Sequence, residues 1–119
     1  VVPAAARTGP LVGAVPPAAR ANGGEPDAGR RLPAWARAAG FADVQVSSST
    51  WCFADARSRA WWGGMWAERI LHSAIAAQLT DAGWATHDEL EEISAAWLRW
   101  AQDPDGVLVI PHVEVLARG

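Results

Sequence analysis

Lysine is absent from this 119-residue chain, cysteine and methionine occur once each, and no apolar run is long and unbroken enough for a membrane span. All ten basic residues are arginine, against thirteen acidic residues, for a formal charge of −3. No block of like charge stands out, so neither nucleic acid nor a membrane surface is an expected partner. The single cysteine, Cys52, excludes an internal disulfide, fits a cytoplasmic setting, and reads as a small buried hydrophobe rather than a nucleophile. There is no cysteine cluster and no histidine pair at helical ligand spacing, so no metal site is expected. The opening VVPAAARTGPLVGAVPP is broken by Pro3, Pro10, Pro16 and Pro17 and lacks the basic-then-apolar order of a signal peptide.

Against these absences stand a hydrophobic content of 50% and eight tryptophans, enough for the core of one modest domain. Residues 1–25, rich in Ala, Pro and Gly, show neither helical nor strand periodicity and read as a poorly ordered lead-in to a region spanning 26–119. DAGRRLPAWARAAG then places Leu32, Trp35 and Ala39 on one helical face, with the start between Asp27 and Pro33 and Gly40 as the stop. FADVQVSSSTWCF reads as a strand from about Asp43 to Phe53.

A helix is expected from Asp55, its N-cap, to about Asp81, with Trp62, Trp66, Ile70 and Ala74 at four-residue steps and Gly83 as the stop. Thr86 with Glu89 forms a capping box for a second helix whose stripe is Leu90, Ile93, Trp97 and Trp100. The turn signal DPDG ends it near Gln102. VLVIPHVEVLARG closes the chain as a strand, with Val107, Val109, Val113 and Val115 on one face and Pro111 predicting a bulge or an edge position.

GRRLPAWARAAGFADVQVSSSTWCFAD, RAWWGGMWAERI and PDGVLVIPHVEVLARG together resemble the C-terminal part of class I S-adenosylmethionine-dependent methyltransferases, in the ubiquinone/menaquinone-biosynthesis-like branch found in actinobacteria. The resemblance runs from about Ala21 to Gly119 and implies an α/β fold, the C-terminal portion of a Rossmann-like methyltransferase. Its Ala39–Gly40–Phe41 turn would lead into one strand, a final antiparallel strand would close the sheet, and a helical insertion over 55–102 would cover the active site. The implied activity is methyl transfer to a small-molecule acceptor.

S-adenosylmethionine would serve the complete enzyme, yet this chain alone is not expected to bind it. Such a cofactor needs a glycine-rich loop after a strand and an acidic residue at the ribose. Gly23–Gly24 follows no strand and Gly63–Gly64 lies among tryptophans in a helix, so no cofactor-binding residue is assigned.

Trp51, Trp62, Trp66 and Arg69 are the candidate substrate-binding residues, with Trp61 beside them. Indoles at helical spacing serve packing as readily as binding, and Arg69 and its neighbour Glu68 point in different directions on a helix. His112 is the candidate catalytic base, sharing a strand face with Glu114, although methyl transfer to a positioned acceptor does not require a base. A non-catalytic remnant, or a tryptophan-rich interaction or dimerisation module, is the alternative. With its apolar edges uncovered, the chain would then pair as a homodimer.

Overall fold

The computed structural model describes residues 19–119. Of the lead-in expected over 1–25, residues 1–18 therefore lie outside the described residues. The chain is α/β: helix α1 (Ala28–Ala38), strand β1 (Asp43–Phe53), helices α2 (Ala56–His72), α3 (Ala74–Asp81) and α4 (His87–Gln102), and strand β2 (Leu108–Arg118). The two strands pair antiparallel, an arrangement compatible with part of a Rossmann-like methyltransferase fold.

α1 carries Pro33 in its interior rather than in its first turn. Ala28, Gly29, Leu32, Pro33 and Ala36 are its half-buried positions, and α1 rests on both strands with Gly29 against Val113. Trp35, expected on the packed face, stands 45% exposed at the flank. The AGF turn closes α1 by the geometry that glycine allows. Gly40 takes φ +100°, its N–H donates to the Arg37 carbonyl, and the Phe41 N–H reaches back to the Ala36 carbonyl.

β1 and β2 pair in an unbroken register from Asp43 opposite Arg118 to Phe53 opposite Leu108. No bulge forms at Pro111, which sits opposite Thr50. A two-stranded sheet makes each strand an edge, and an edge tolerates a missing N–H on its open side. The register divides the sheet by residue type. Val44, Val46, Ser48, Thr50 and Cys52 share one face with Val109, Pro111, Val113, Val115 and Ala117; Trp51 and Phe53 share the other with Leu108, Ile110, His112 and Glu114. Cys52 is exposed, not buried as its residue type suggested.

The helix expected over 55–81 is two helices. Ser73 takes an extended conformation (φ −94°, ψ 171°), ending α2 and starting α3, and both its N–H and its hydroxyl donate to the Arg69 carbonyl. Asp55 caps α2 by accepting the Ser58 N–H at 2.8 Å, and Thr86 caps α4 by accepting the Glu89 N–H at 3.2 Å. Gly83, at φ +73°, closes α3 with the same turn that Gly40 gives α1.

The core lies between α2, α3 and α4 and the Phe53–Leu108 end of the sheet, and Ile70, Leu79, Leu90 and Ile93 are its fully buried large side chains. α2 and α4 approach closely because Gly63 has no side chain. A Cβ there would stand 2.8 Å from the Ala101 Cβ and 2.9 Å from the Trp97 carbonyl oxygen. One turn on, the buried Ser94 hydroxyl donates to the Ala67 carbonyl at 2.8 Å and ties the same two helices together. No helix among the described residues is long and apolar enough to cross a membrane.

Candidate functional site

Trp62 and Trp66 stand one helical turn apart on α2, and their ring centres are 6.3 Å apart. With Trp97 of α4 and Leu108, Val109, Ile110 and Pro111 of β2 they line a cleft of about 310 Å³. Four consecutive strand residues, pointing alternately to both faces, line it together, so it runs along the edge of β2 that does not pair with β1. Phe53, at the end of β1, backs the wall: its ring lies 4.6 Å from Trp62 and 6.3 Å from Trp61.

Trp61, adjacent to Trp62, points elsewhere and is 61% exposed. Arg69 lies over the Trp66 ring, its guanidinium carbon 5.7 Å from the ring centre. That cation–π contact fixes Arg69 on the indole that walls the cleft, but Arg69 is not among the lining residues.

Trp51 and His112 meet on the sheet face that carries Ile110, with ring centres 4.2 Å apart and planes tilted by 43°. His112 is half-buried, and its Nδ1 is covered without a hydrogen-bond partner. The pairing of His112 with Glu114 that their shared face suggested is replaced by another. The Glu114 carboxylate accepts the hydroxyls of Ser47, directly opposite it, and of Ser49, one pair along. Serines across the ladder hold the carboxylate at its own position, whereas His112 packs on an indole. The structure thus brings Trp62 and Trp66 together in the cleft, sets Arg69 on its rim, and places Trp51 with His112 as a second aromatic pair.

Two residues in this region escaped the sequence reading. Trp97 belongs to the core stripe of α4, yet it also lines the cleft. Arg59 is 94% buried, by its relative exposure of 6%; it donates to the Ala54 carbonyl and packs against Gly106, and its Nε has no partner. Its signal was its spacing. Arg59 precedes Trp62 by three residues and Gly63 by four, which puts a charge on the inward stripe of α2.

The two glycine pairs sit in different surroundings. Gly63 receives α4 at van der Waals distance, Gly64 faces open space, and Gly23, at φ +81°, turns the chain ahead of a helix rather than after a strand. Among the described residues no group of three or more His, Cys, Asp or Glu gathers as a metal site. His72 and His87 line a separate hollow of about 250 Å³, where His87 pairs with Glu91 at 3.1 Å.

No family model matches the chain, and no solved structure matches it. Over 97 residues, or 80% of its length, the chain is 37% identical to a protein of Schizosaccharomyces pombe named as an uncharacterized methyltransferase. The match covers 34% of that relative, so the chain spans about a third of the length of the curated protein it resembles. By this similarity the chain is related to a methyltransferase.

Proposed function

We propose that the chain is the C-terminal part of a class I S-adenosylmethionine-dependent methyltransferase of the ubiquinone/menaquinone-biosynthesis-like kind, acting on a small molecule. The observation that carries this reading is the apolar cleft between α2, α4 and β2, walled by Trp62 and Trp66, in a chain related to a methyltransferase. An apolar cleft of this kind suits a flat acceptor that must be oriented for in-line attack on an electrophilic methyl group. Trp62 and Trp66 would wall the acceptor, Arg69 would steady Trp66 from outside, and Trp51 would hold the ring of His112. His112 does not line the cleft, so a role as base would require the acceptor to extend past Pro111 to the Trp51–His112 pair; displacement at a positioned acceptor needs no base.

S-adenosylmethionine, in this reading, is held by the remainder of the whole protein. The protein translated from its complete reading frame, supplied with S-adenosylmethionine labelled in its methyl group, should transfer label to a small-molecule acceptor. Trp66→Ala should raise KM for that acceptor about tenfold, as the loss of a buried ring contact implies, and leave KM for the methyl donor unchanged. Absence of transfer to any small molecule would sink the reading. Stoichiometric binding of the methyl donor by residues 1–119 alone would overturn the assignment of the cofactor to the remainder.

A second reading rests on exposure. Val46, Trp51, Trp61 and Leu116 are each more than half exposed, and the sheet has two strands. As an interaction module the chain would bury these residues in a homodimer, which sedimentation equilibrium would detect as twice the chain mass.

A further inference from the structure

Arg59 carries a full charge into the interior of the domain. Buried arginines are ordinarily paired, because a guanidinium, unlike an ammonium, cannot shed its proton to relieve the burial. Among the described residues, no carboxylate lies within ion-pair distance of Arg59. The acids in the adjoining segments are used otherwise: Asp55 caps α2 through the Ser58 N–H, and Asp103 accepts the Asp105 N–H. The Ala54 carbonyl orients the guanidinium but, being neutral, does not balance its charge.

The donors left free form one edge. Nη1, the amino group on the Cδ side, is the one that donates to the Ala54 carbonyl. The opposite edge consists of Nε and Nη2. Nε is covered without a partner, while Nη2, among the described residues, is neither bonded nor covered. These two N–H groups are parallel within one rigid plane, at a spacing that matches both oxygens of a carboxylate. Their juxtaposition is covalent and owes nothing to the arrangement of neighbouring side chains.

We propose that the Nε–Nη2 edge of Arg59 binds the carboxylate of a small organic acid. Arg59 reaches back to Ala54, the residue that follows β1, and ligands of open α/β sheets collect at the carboxyl ends of strands. In that placement the proposal rests on the reading of the chain as part of a Rossmann-like sheet. It goes beyond the aromatic cleft, because Arg59 is not among the lining residues there. Gly106 seats the stem of the side chain: a Cβ at that position would stand 3.0 Å from the Arg59 Cδ. A carboxylate arrives at the open Nη2, and its second oxygen completes the fork once the groups over Nε give way. Burying an unbalanced charge costs stability, so its retention suits binding better than packing.

The test is a titration of the full 119-residue chain with acetate, acetamide and inorganic phosphate, at an ionic strength held constant with sodium chloride. Binding is read by the Arg59 Nε–H signal in a nitrogen–proton correlation spectrum, assigned by its loss in Arg59→Lys. Acetate should move that signal saturably and bind at least about tenfold tighter than acetamide, its neutral isostere, as charge-assisted hydrogen bonds imply. It should also bind tighter than phosphate, a dianion that gives up more hydration than one guanidinium returns. Arg59→Lys, which keeps the charge and loses the fork, should weaken acetate binding about tenfold.

Should Arg59→Lys disturb the fold, the wild-type titrations still decide the question. Equal affinity for acetate and acetamide, tighter binding of phosphate, or an Nε–H signal that acetate does not move would each overturn the proposal. In the protein translated from the complete reading frame, acetate should move the same signal. If it moves only in residues 1–119, an acidic side chain of the remainder holds the edge, and the assignment to a small acid fails. Acetate selectivity in a whole protein that methylates nothing would remove the enzymatic reading and leave this site standing; methyl transfer without acetate selectivity would do the reverse.

Discussion

Replacing Gly63 and Gly64 by alanine, one at a time, should move stability in opposite directions. In water the two sites are nearly equivalent by sequence: both lie in the middle of α2, where Gly→Ala contributes about 1 kcal/mol of helix propensity. The surroundings differ. At Gly64 an added methyl meets nothing within 4 Å, so the propensity gain stands alone. At Gly63 it would meet the Ala101 Cβ at 2.8 Å and the Trp97 carbonyl at 2.9 Å, atoms fixed to the backbone of α4 that cannot rotate away. The helices must then part, loosening the Ser94 to Ala67 bond, at the upper end of the overpacking range, about 3 kcal/mol. The net is about 2 kcal/mol of destabilisation for Gly63→Ala and about 1 kcal/mol of stabilisation for Gly64→Ala. For a domain of this size Tm should fall by roughly 10 °C in the first and rise by about 5 °C in the second. Urea denaturation followed by far-ultraviolet circular dichroism measures both. Equal stabilisation by the two alanines would refute the close approach of α2 and α4.

Ser94→Ala should cost about 1 kcal/mol in the same denaturation assay, because it removes one buried hydrogen bond while Ala67 keeps its place in α2. Thr86→Ala, which leaves the Glu89 N–H without its cap, should cost about 1 kcal/mol, and Thr86→Ser should restore most of it. Asp55 supplies a pH dependence. The Ser58 N–H donated to its carboxylate holds its pKa below the ordinary value, so its contribution is complete above the unfolded-state pKa and is lost as pH falls through the folded one. Asp55→Asn caps without titrating; the wild type should therefore lose its Tm advantage over the variant as pH falls through and below the ordinary carboxylate range, and parallel acid profiles would refute the assignment.

Local rules made most of the fold legible. Asp43 and Phe53 bound β1 as β-branched and aromatic residues between a glycine turn and an N-cap indicate, and Asp55, Thr86, Gly40 and Gly83 cap the helices they were expected to cap. The break at Ser73 was hidden because the apolar period continues across it; only a hydroxyl bonded back to the Arg69 carbonyl marks the stop. Pro111 suggested a bulge or an edge position, and the two-stranded sheet makes it an edge; the choice between them was not legible locally, because pairing is a property of the whole sheet. The same limit applies to the site. Trp62 and Trp66 were visible as a pair at four-residue spacing, but the divorce of His112 from Glu114 depended on Ser47 and Ser49, which reach Glu114 from more than sixty residues away in the chain.

The glycines and the indoles of α2 belong to one geometry. Gly63, Ala67 and Ile70 form the stripe that meets the core, while Trp62 and Trp66 lie on the adjacent stripe about 100° away and face the cleft. Trp97 serves both surfaces: its backbone carbonyl faces Gly63, and its side chain lines the cleft. The distance between α2 and α4 at Gly63 therefore sets the distance between Trp62 and Trp97 across the cleft. A methyl group at residue 63 pushes the two indoles apart, so Gly63→Ala in the whole protein should raise KM for the methyl acceptor even where the variant is fully folded. Gly64→Ala, which moves neither helix, should leave that KM as in the wild type. An unchanged acceptor KM in a folded Gly63→Ala protein would mean that the cleft does not depend on helix spacing, and the link between packing and recognition would fail.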